Sequence, residues 1–341
     1  MISRRPPELF FAVELLPEPL QALFEQPGLL EQLQRLNAGV CLAVMDFSPQ
    51  RVEVVNRLNA AGIPVNAWLL LPQAQGYWLN LDNAAAAGNR YAQFIAWTRQ
   101  NNLRWEAIGL DIEPDIHLFD QILSRPWKAV PHIARNLLST TRLATAQRYH
   151  ALAAQIRTDG YEVETYQFPF IIDERLAHST FLQRALGLVD LPADREILML
   201  YSSFLRWAGP GLLWSYAYQA GCVGVGSTGG GVSVNNLDRI PPLTWPELEQ
   251  DMFLAYQVAD RIFIFSLEGC IEQGYLDLIE QIDWSRHAIP LPVAAARRVG
   301  YYRRAGQLFL SAMSRPVLFL LSILFGWVFM RRAFQILRRQ V

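Results

Sequence analysis

The residue patterns that hold metals or run redox chemistry are missing from this chain of 341 residues. Its three cysteines, Cys41, Cys222 and Cys270, are far apart in apolar surroundings and form no C-x-x-C pair, so they are expected to be buried free thiols. The five histidines, His117, His132, His150, His178 and His287, form neither an H-E-x-x-H nor an H-x-H pair, which excludes the common zinc sites. No metal and no cofactor are therefore expected. Lysine is nearly absent, Lys128 being the only one, and the formal net charge is −1. With no basic face in the main body, nucleic acid is not expected as a partner. The opening "MISRRPPELFFAVELLP" does not read as a secretory leader, because it places prolines and a Glu where the apolar region would be.

What the chain does have is a recurring apolar run rich in Val, Ile, Leu and Phe, separated by longer segments with helical spacing. Eight such runs read as strands: Leu9 to Glu14, Val40 to Asp46, Ile63 to Leu71, Glu106 to Ile112, Tyr161 to Phe168, Glu196 to Ser202, Cys222 to Ser227 and Arg261 to Glu268. Eight is the number that closes a barrel. Helix formers fill the segments before the fourth, fifth and eighth runs, and Thr244 with Glu247 fits a capping box with Pro246 in the first turn. Asp115 to Leu138 is longer than a usual connection and is expected to decorate the top. Residues 1–299 are therefore read as one α/β domain, a (β/α)8 TIM barrel.

Residues 300–341 read differently. Pro316 to Met330, "PVLFLLSILFGWVFM", carries no charge, and arginines flank it on both sides. It is expected to be a C-terminal transmembrane helix anchoring the chain in the lipid bilayer, preceded by an arginine-rich juxtamembrane stretch. The flanking arginines do not set the orientation. Without an export signal, the barrel is expected in the cytoplasm.

In barrels of this kind the active site lies at the C-terminal ends of the strands. Here those ends carry Glu14, Asp46, Asp111, Glu113 and Glu268, with Asn66, Trp68, Tyr166, Gln167 and Tyr201 beside them. Clustered acids among flat rings and amides suit a carbohydrate substrate: acids for the glycosidic bond, rings for sugar faces, amides for hydroxyls. A single acid at a strand end is more often a helix cap or an ion-pair partner. Asp111 and Glu113 stand out, because residues two apart on a strand share a face and two like acids there raise one pKa. That pairing supplies a protonated acid beside a charged carboxylate.

The strand-four run "EAIGLDIE" resembles the D-x-x-D-x-D-x-E motif of glycoside hydrolase family 18, the chitinases and related endo-N-acetylglucosaminidases. Asp111 and Glu113 fall on its last Asp and its Glu, while Glu106 and Gly109 replace its first two aspartates. In strand six, "MLYSS" matches the family's M-x-Y at Met199 and Tyr201, with Ser202 where Asp or Asn is common. The family's strand-eight tryptophan is replaced by "SLEG", which contains Glu268. The resemblance implies Glu113 as general acid, Asp111 as the carboxylate that orients a substrate N-acetyl group, and Tyr201 as a donor to that group. A second reading keeps Glu113 as acid and uses Glu268 or Glu14 as nucleophile or base.

Two other functions compete. The glycine-rich "GVGSTGGGVSVNN", Gly224 to Asn236, follows strand seven, where other barrels hold phosphate on backbone N–H groups, so a phosphorylated small molecule is the alternative substrate. The third reading is an inactive barrel that binds a glycan or a partner at the membrane.

Overall fold

The structure, a computed structural model, describes residues 5–139, 142–231, 240–285 and 290–314. Eight parallel strands pair in chain order and close into a barrel. They are β1 (Glu8–Val13), β2 (Ala38–Val44), β3 (Val65–Leu69), β4 (Ala107–Asp111), β5 (Glu162–Gln167), β6 (Arg195–Met199), β7 (Cys222–Gly226) and β8 (Arg261–Phe265). Each falls inside or within two residues of an apolar run read from the sequence. Strands buried on both faces must be apolar throughout, and such runs are easy to see.

The two faces separate by parity. On β1, Leu9, Phe11 and Val13 pack outward against the helices, while Phe10 and Ala12 fill the interior. On β4, Ile108 and Leu110 face outward, so Gly109, Asp111 and, just beyond the strand, Glu113 take the interior side. The interior layers continue with Cys41, Trp68, Tyr166, Ile197, Met199 and Phe263, which form one cluster inside the barrel.

The expected capping box at Thr244 is present, with Glu247 accepting from the Thr244 backbone N–H at 2.8 Å. Residues after β4 form two helices, Ile116–Ser124 and Pro126–Leu138. Asp115 caps the first of them by accepting from the N–H groups of His117 and Leu118. All three cysteines are free and buried.

The last described helix, Val293–Ser314, runs unbroken through residue 299 and packs on the helix Pro210–Tyr216. Gly211 makes this approach possible, since a Cβ there would lie 2.6 Å from the Ala295 backbone. Arg303 clamps the helix in place. Its Nε donates to Asp173 Oδ1 at 2.9 Å, its Nη2 to Gln219 Oε1 at 2.6 Å, and its guanidinium lies 3.6 Å over the Tyr216 ring. The packing of the barrel body therefore extends beyond residue 299. No helix among the described residues is long and apolar enough to cross a membrane, and Pro316 to Met330 lies outside the described residues.

Replacing Arg303 by Met removes a nearly buried charge partner of Asp173. It is expected to lower stability by about 3 kcal/mol, as for a broken buried ion pair, measured by urea unfolding of the full chain.

Candidate active site

A cavity of about 420 Å³ opens at the C-terminal end of the barrel. Glu14, Asp111 and Glu113 reach it from β1 and β4, and all three are buried. Three carboxyls in one dry space cannot all be charged without large cost. Two donors answer part of the charge: Trp68 Nε1 donates to Asp111 Oδ2 at 3.0 Å, and the Tyr77 hydroxyl donates to Glu14 Oε1 at 2.6 Å.

Protonation answers the rest. Burial first, then the negative charges of Asp111 and Glu14, then a hydrogen bond given to Asp111 push the Glu113 pKa well above the ordinary carboxylate range. Burial and the charge of Glu14 also raise Asp111, to about 8, against the lowering hydrogen bonds from Trp68 and Glu113. The two groups titrate as a pair, with Glu113 holding the proton and Asp111 receiving it. Asp111 Oδ1 is buried without a well-aligned partner. That orphan acceptor is an opening for a substrate donor.

Aromatic rings wall the cavity. Trp68 meets Phe265 edge to face with centroids 6.3 Å apart, and Trp78 meets Phe119 at 5.9 Å. Tyr201 lies 5.9 Å from Phe265, and its hydroxyl makes no hydrogen bond among the described residues. Burial first, then the charges of Asp111 and Glu113, raise the Tyr201 pKa, which keeps it a donor.

Below the cavity is a polar floor. Glu164 is fully buried; Asn66 Nδ2 donates to both of its oxygens at 2.9 Å, the Tyr166 hydroxyl donates at 3.0 Å, and Arg195 Nε lies 3.1 Å away. Burial raises Glu164 to about 7 despite these partners. The Tyr166 ring also occupies the space next to Gly109, where a Cβ would come within 2.5 Å of it. At the position where the family 18 motif has an aspartate, this chain thus has a glycine that admits a strand-five tyrosine.

The sequence-derived candidates divide by parity and height. Glu14, Trp68, Asp111, Glu113, Tyr166 and Tyr201 line the cavity. Asp46 and Gln167 do not, because each sits on the outward side of its strand. Asp46 ion-pairs with Arg51 Nη2 at 2.8 Å, and hydrogen bonds from Arg51 and Ser48 outweigh burial to lower its pKa. Gln167 Nε2 donates to the Val189 carbonyl at 3.2 Å. Asn66 faces inward but too deep, in the floor. Glu268 lies in the first turn of the helix Leu267–Glu272, where its Oε1 accepts from the N–H groups of Gly231 at 3.0 Å and Glu14 at 3.2 Å. It ties the loop after β7 to the end of β1.

Tyr77 was not among the candidates, nor were Trp78 and Glu164. Tyr77 and Trp78 stand in "GYWLN" after β3, and Tyr77 takes a left-handed φ of 62°, uncommon away from glycine and often found at functional sites. Glu164 carried a readable signal, since an acid in the middle of a buried strand demands partners.

The chain matches no protein-family model and no curated protein. Two solved structures align with it over most of their length. A xylose isomerase domain protein from Planctomyces limnophilus is 11% identical with a TM-score of 0.41, covering 89% of this chain and 99% of that one. Dihydropteroate synthase from Thermus thermophilus, solved with 4-aminobenzoate, is 12% identical with a TM-score of 0.31, covering 81% and 94%. These likenesses are too weak to carry any chemistry, and the barrel stands on its own strand pairing. The family 18 likeness of strands four and six is not shown by these comparisons.

Gly109→Ala is expected to displace the Tyr166 ring and lower stability by about 1–3 kcal/mol, read from denaturant midpoints. A second expectation concerns pH. The fold raises Asp111 and Glu113 above their unfolded pKa values, so their neutral forms favour folding at low pH and that stability is lost as pH rises through the raised values. Glu113→Gln, neutral throughout, should raise the melting temperature at about pH 9 by several degrees and leave it nearly unchanged at about pH 4.

Proposed function

We propose that the barrel is a glycoside hydrolase-like enzyme with Glu113 as general acid and Asp111 as its supporting carboxylate. One observation carries this reading: a carboxyl held protonated by burial and like charge, paired with a second acid, inside a cavity walled by tryptophan, phenylalanine and tyrosine. Acid catalysis of glycoside cleavage needs that protonation state, and sugar faces stack on such rings.

In the proposed reaction Glu113 gives its proton to the glycosidic oxygen as the bond to the anomeric carbon breaks, and the leaving alcohol keeps the bonding electrons. Where the sugar carries an N-acetyl group, the acetyl oxygen attacks the anomeric carbon, its N–H donates to Asp111, and the Tyr201 hydroxyl donates to the acetyl group. Water then attacks the anomeric carbon and returns a proton to Glu113. Glu14, fixed by Tyr77, is the carboxylate available for the alternative course in which a second acid serves as nucleophile or base.

A phosphorylated substrate is less well supported. The Gly231 N–H already donates to Glu268, and added Cβ atoms at Gly230 and Gly231 would meet the side chains of Glu268 and Glu14. Those carboxylates repel a phosphate placed there.

The test uses the full chain in detergent with a panel of aryl glycosides and N-acetylated oligosaccharides. Hydrolysis by the wild type and a loss of about two orders of magnitude or more in Glu113→Gln are expected. The rate should rise with pH as Asp111 ionises and fall as Glu113 does, which places the optimum on the alkaline side of neutrality. Binding of the same glycan by both proteins without turnover would instead identify a binding module.

A further inference from the structure

The helix Val293–Ser314 has two unlike sides. Val299, Arg303 and Leu310 face the barrel, while Arg297, Arg298, Tyr301, Tyr302, Arg304 and Leu308 face outward; Phe309 is half-exposed, its ring packing edge to face on Phe181 with centroids 5.8 Å apart. Tyr301, Tyr302 and Leu308 are 62%, 66% and 74% exposed. Trp207, 68% exposed in the segment after β6, packs edge to face on Tyr302 with centroids 5.5 Å apart. The outward face thus mixes arginine and tyrosine over residues 297–304 and carries leucine and phenylalanine toward its end.

The arginines on this face are uncompensated. Among the described residues, Arg297, Arg298 and Arg304 make no ion pair. The nearby acid Asp173 is consumed by Arg303 and by Gln307 Nε2 at 2.7 Å, and Glu247 by Arg206 at 2.5 Å. Directly after this helix the sequence continues through Arg315 into the uncharged run Pro316 to Met330.

We infer that this face, together with Trp207, is a docking surface for an anionic lipid bilayer. Basic side chains next to a membrane are attracted to its anionic lipid headgroups. Tyrosine and tryptophan favour the headgroup level, and leucine and phenylalanine the acyl boundary. The basic and tyrosine-bearing part of the face lies toward the start of the helix, and Leu308 and Phe309 lie toward the end that precedes the uncharged run. A second copy of the chain suits the face poorly, since each face brings three arginines without an ion pair among the described residues and no acid to answer those of the other. The inference does not depend on the chemistry inside the barrel.

The test places a fluorophore on single cysteines introduced in the full chain at Tyr302 or Phe309, with Gln100 as a control. The native cysteines are all buried, so the label goes to the introduced thiol. Vesicles of phosphatidylcholine, with and without about 30 mol% phosphatidylglycerol, carry a quencher in the upper acyl region. Quenching is expected at positions 302 and 309 and not at 100, several-fold stronger with phosphatidylglycerol at position 302. The triple change R297E/R298E/R304E should remove that dependence. Labels at 302 and 309 quenched no more than at 100, or quenched equally in both lipids, would overturn the inference. So would a concentration-dependent shift at 302 without lipid, which would assign the face to a second copy.

Discussion

Desolvation of carboxyl groups is the constraint on which the upper half of this barrel depends. Glu14, Asp111 and Glu113 enter one enclosed space, and three negative charges there would cost far more than a domain has to spare. The surroundings fit that constraint. Trp68 and Tyr77 each present a donor to one acid, and the remaining repulsion is relieved by keeping a proton on the Asp111–Glu113 pair. The aromatic walls follow from the same arrangement, because they exclude the water that would otherwise screen the charges. Stability is given up at the site, and the proton retained there is the one that the proposed acid catalysis would use.

The floor shows a second solution to the same problem. Glu164 is also an acid inside the barrel, but it is met by Asn66, Tyr166 and Arg195, leaving little for a ligand to do. Asp111 above keeps one oxygen without a partner, whereas both oxygens of Glu164 below accept hydrogen bonds. Gly109 joins the two levels by leaving room for the ring of Tyr166. Glu164 itself stands in register with Gly109 on the neighbouring strand.

Much of this could be read in the sequence because parallel strands buried on both faces are continuous apolar runs. All eight strands and the pairing of Asp111 with Glu113 on one face follow from that pattern. Proximity to the end of a run does not fix the side a residue takes: Asp46 and Gln167 lie on the outer side by parity and serve Arg51 and Val189 there. Asn66 and Glu268 were misplaced in height, which only the register and the loop after β7 decide. Tyr77 escaped notice because its partner, Glu14, lies two strands away, and no local spacing reveals a contact across a barrel.

The Arg303 clamp has a mechanical meaning as well. A barrel joined to its last helix by a flexible linker can swivel and sample many heights above whatever holds that helix. Here the guanidinium, wedged between Asp173, Gln219 and the Tyr216 ring, removes that swivel. The mouth of the cavity and the helix move as one rigid body. A surface that bore the helix, as inferred above, would therefore see the mouth at a fixed tilt and reach, and the proposed reaction would be limited to substrates that extend to that one height.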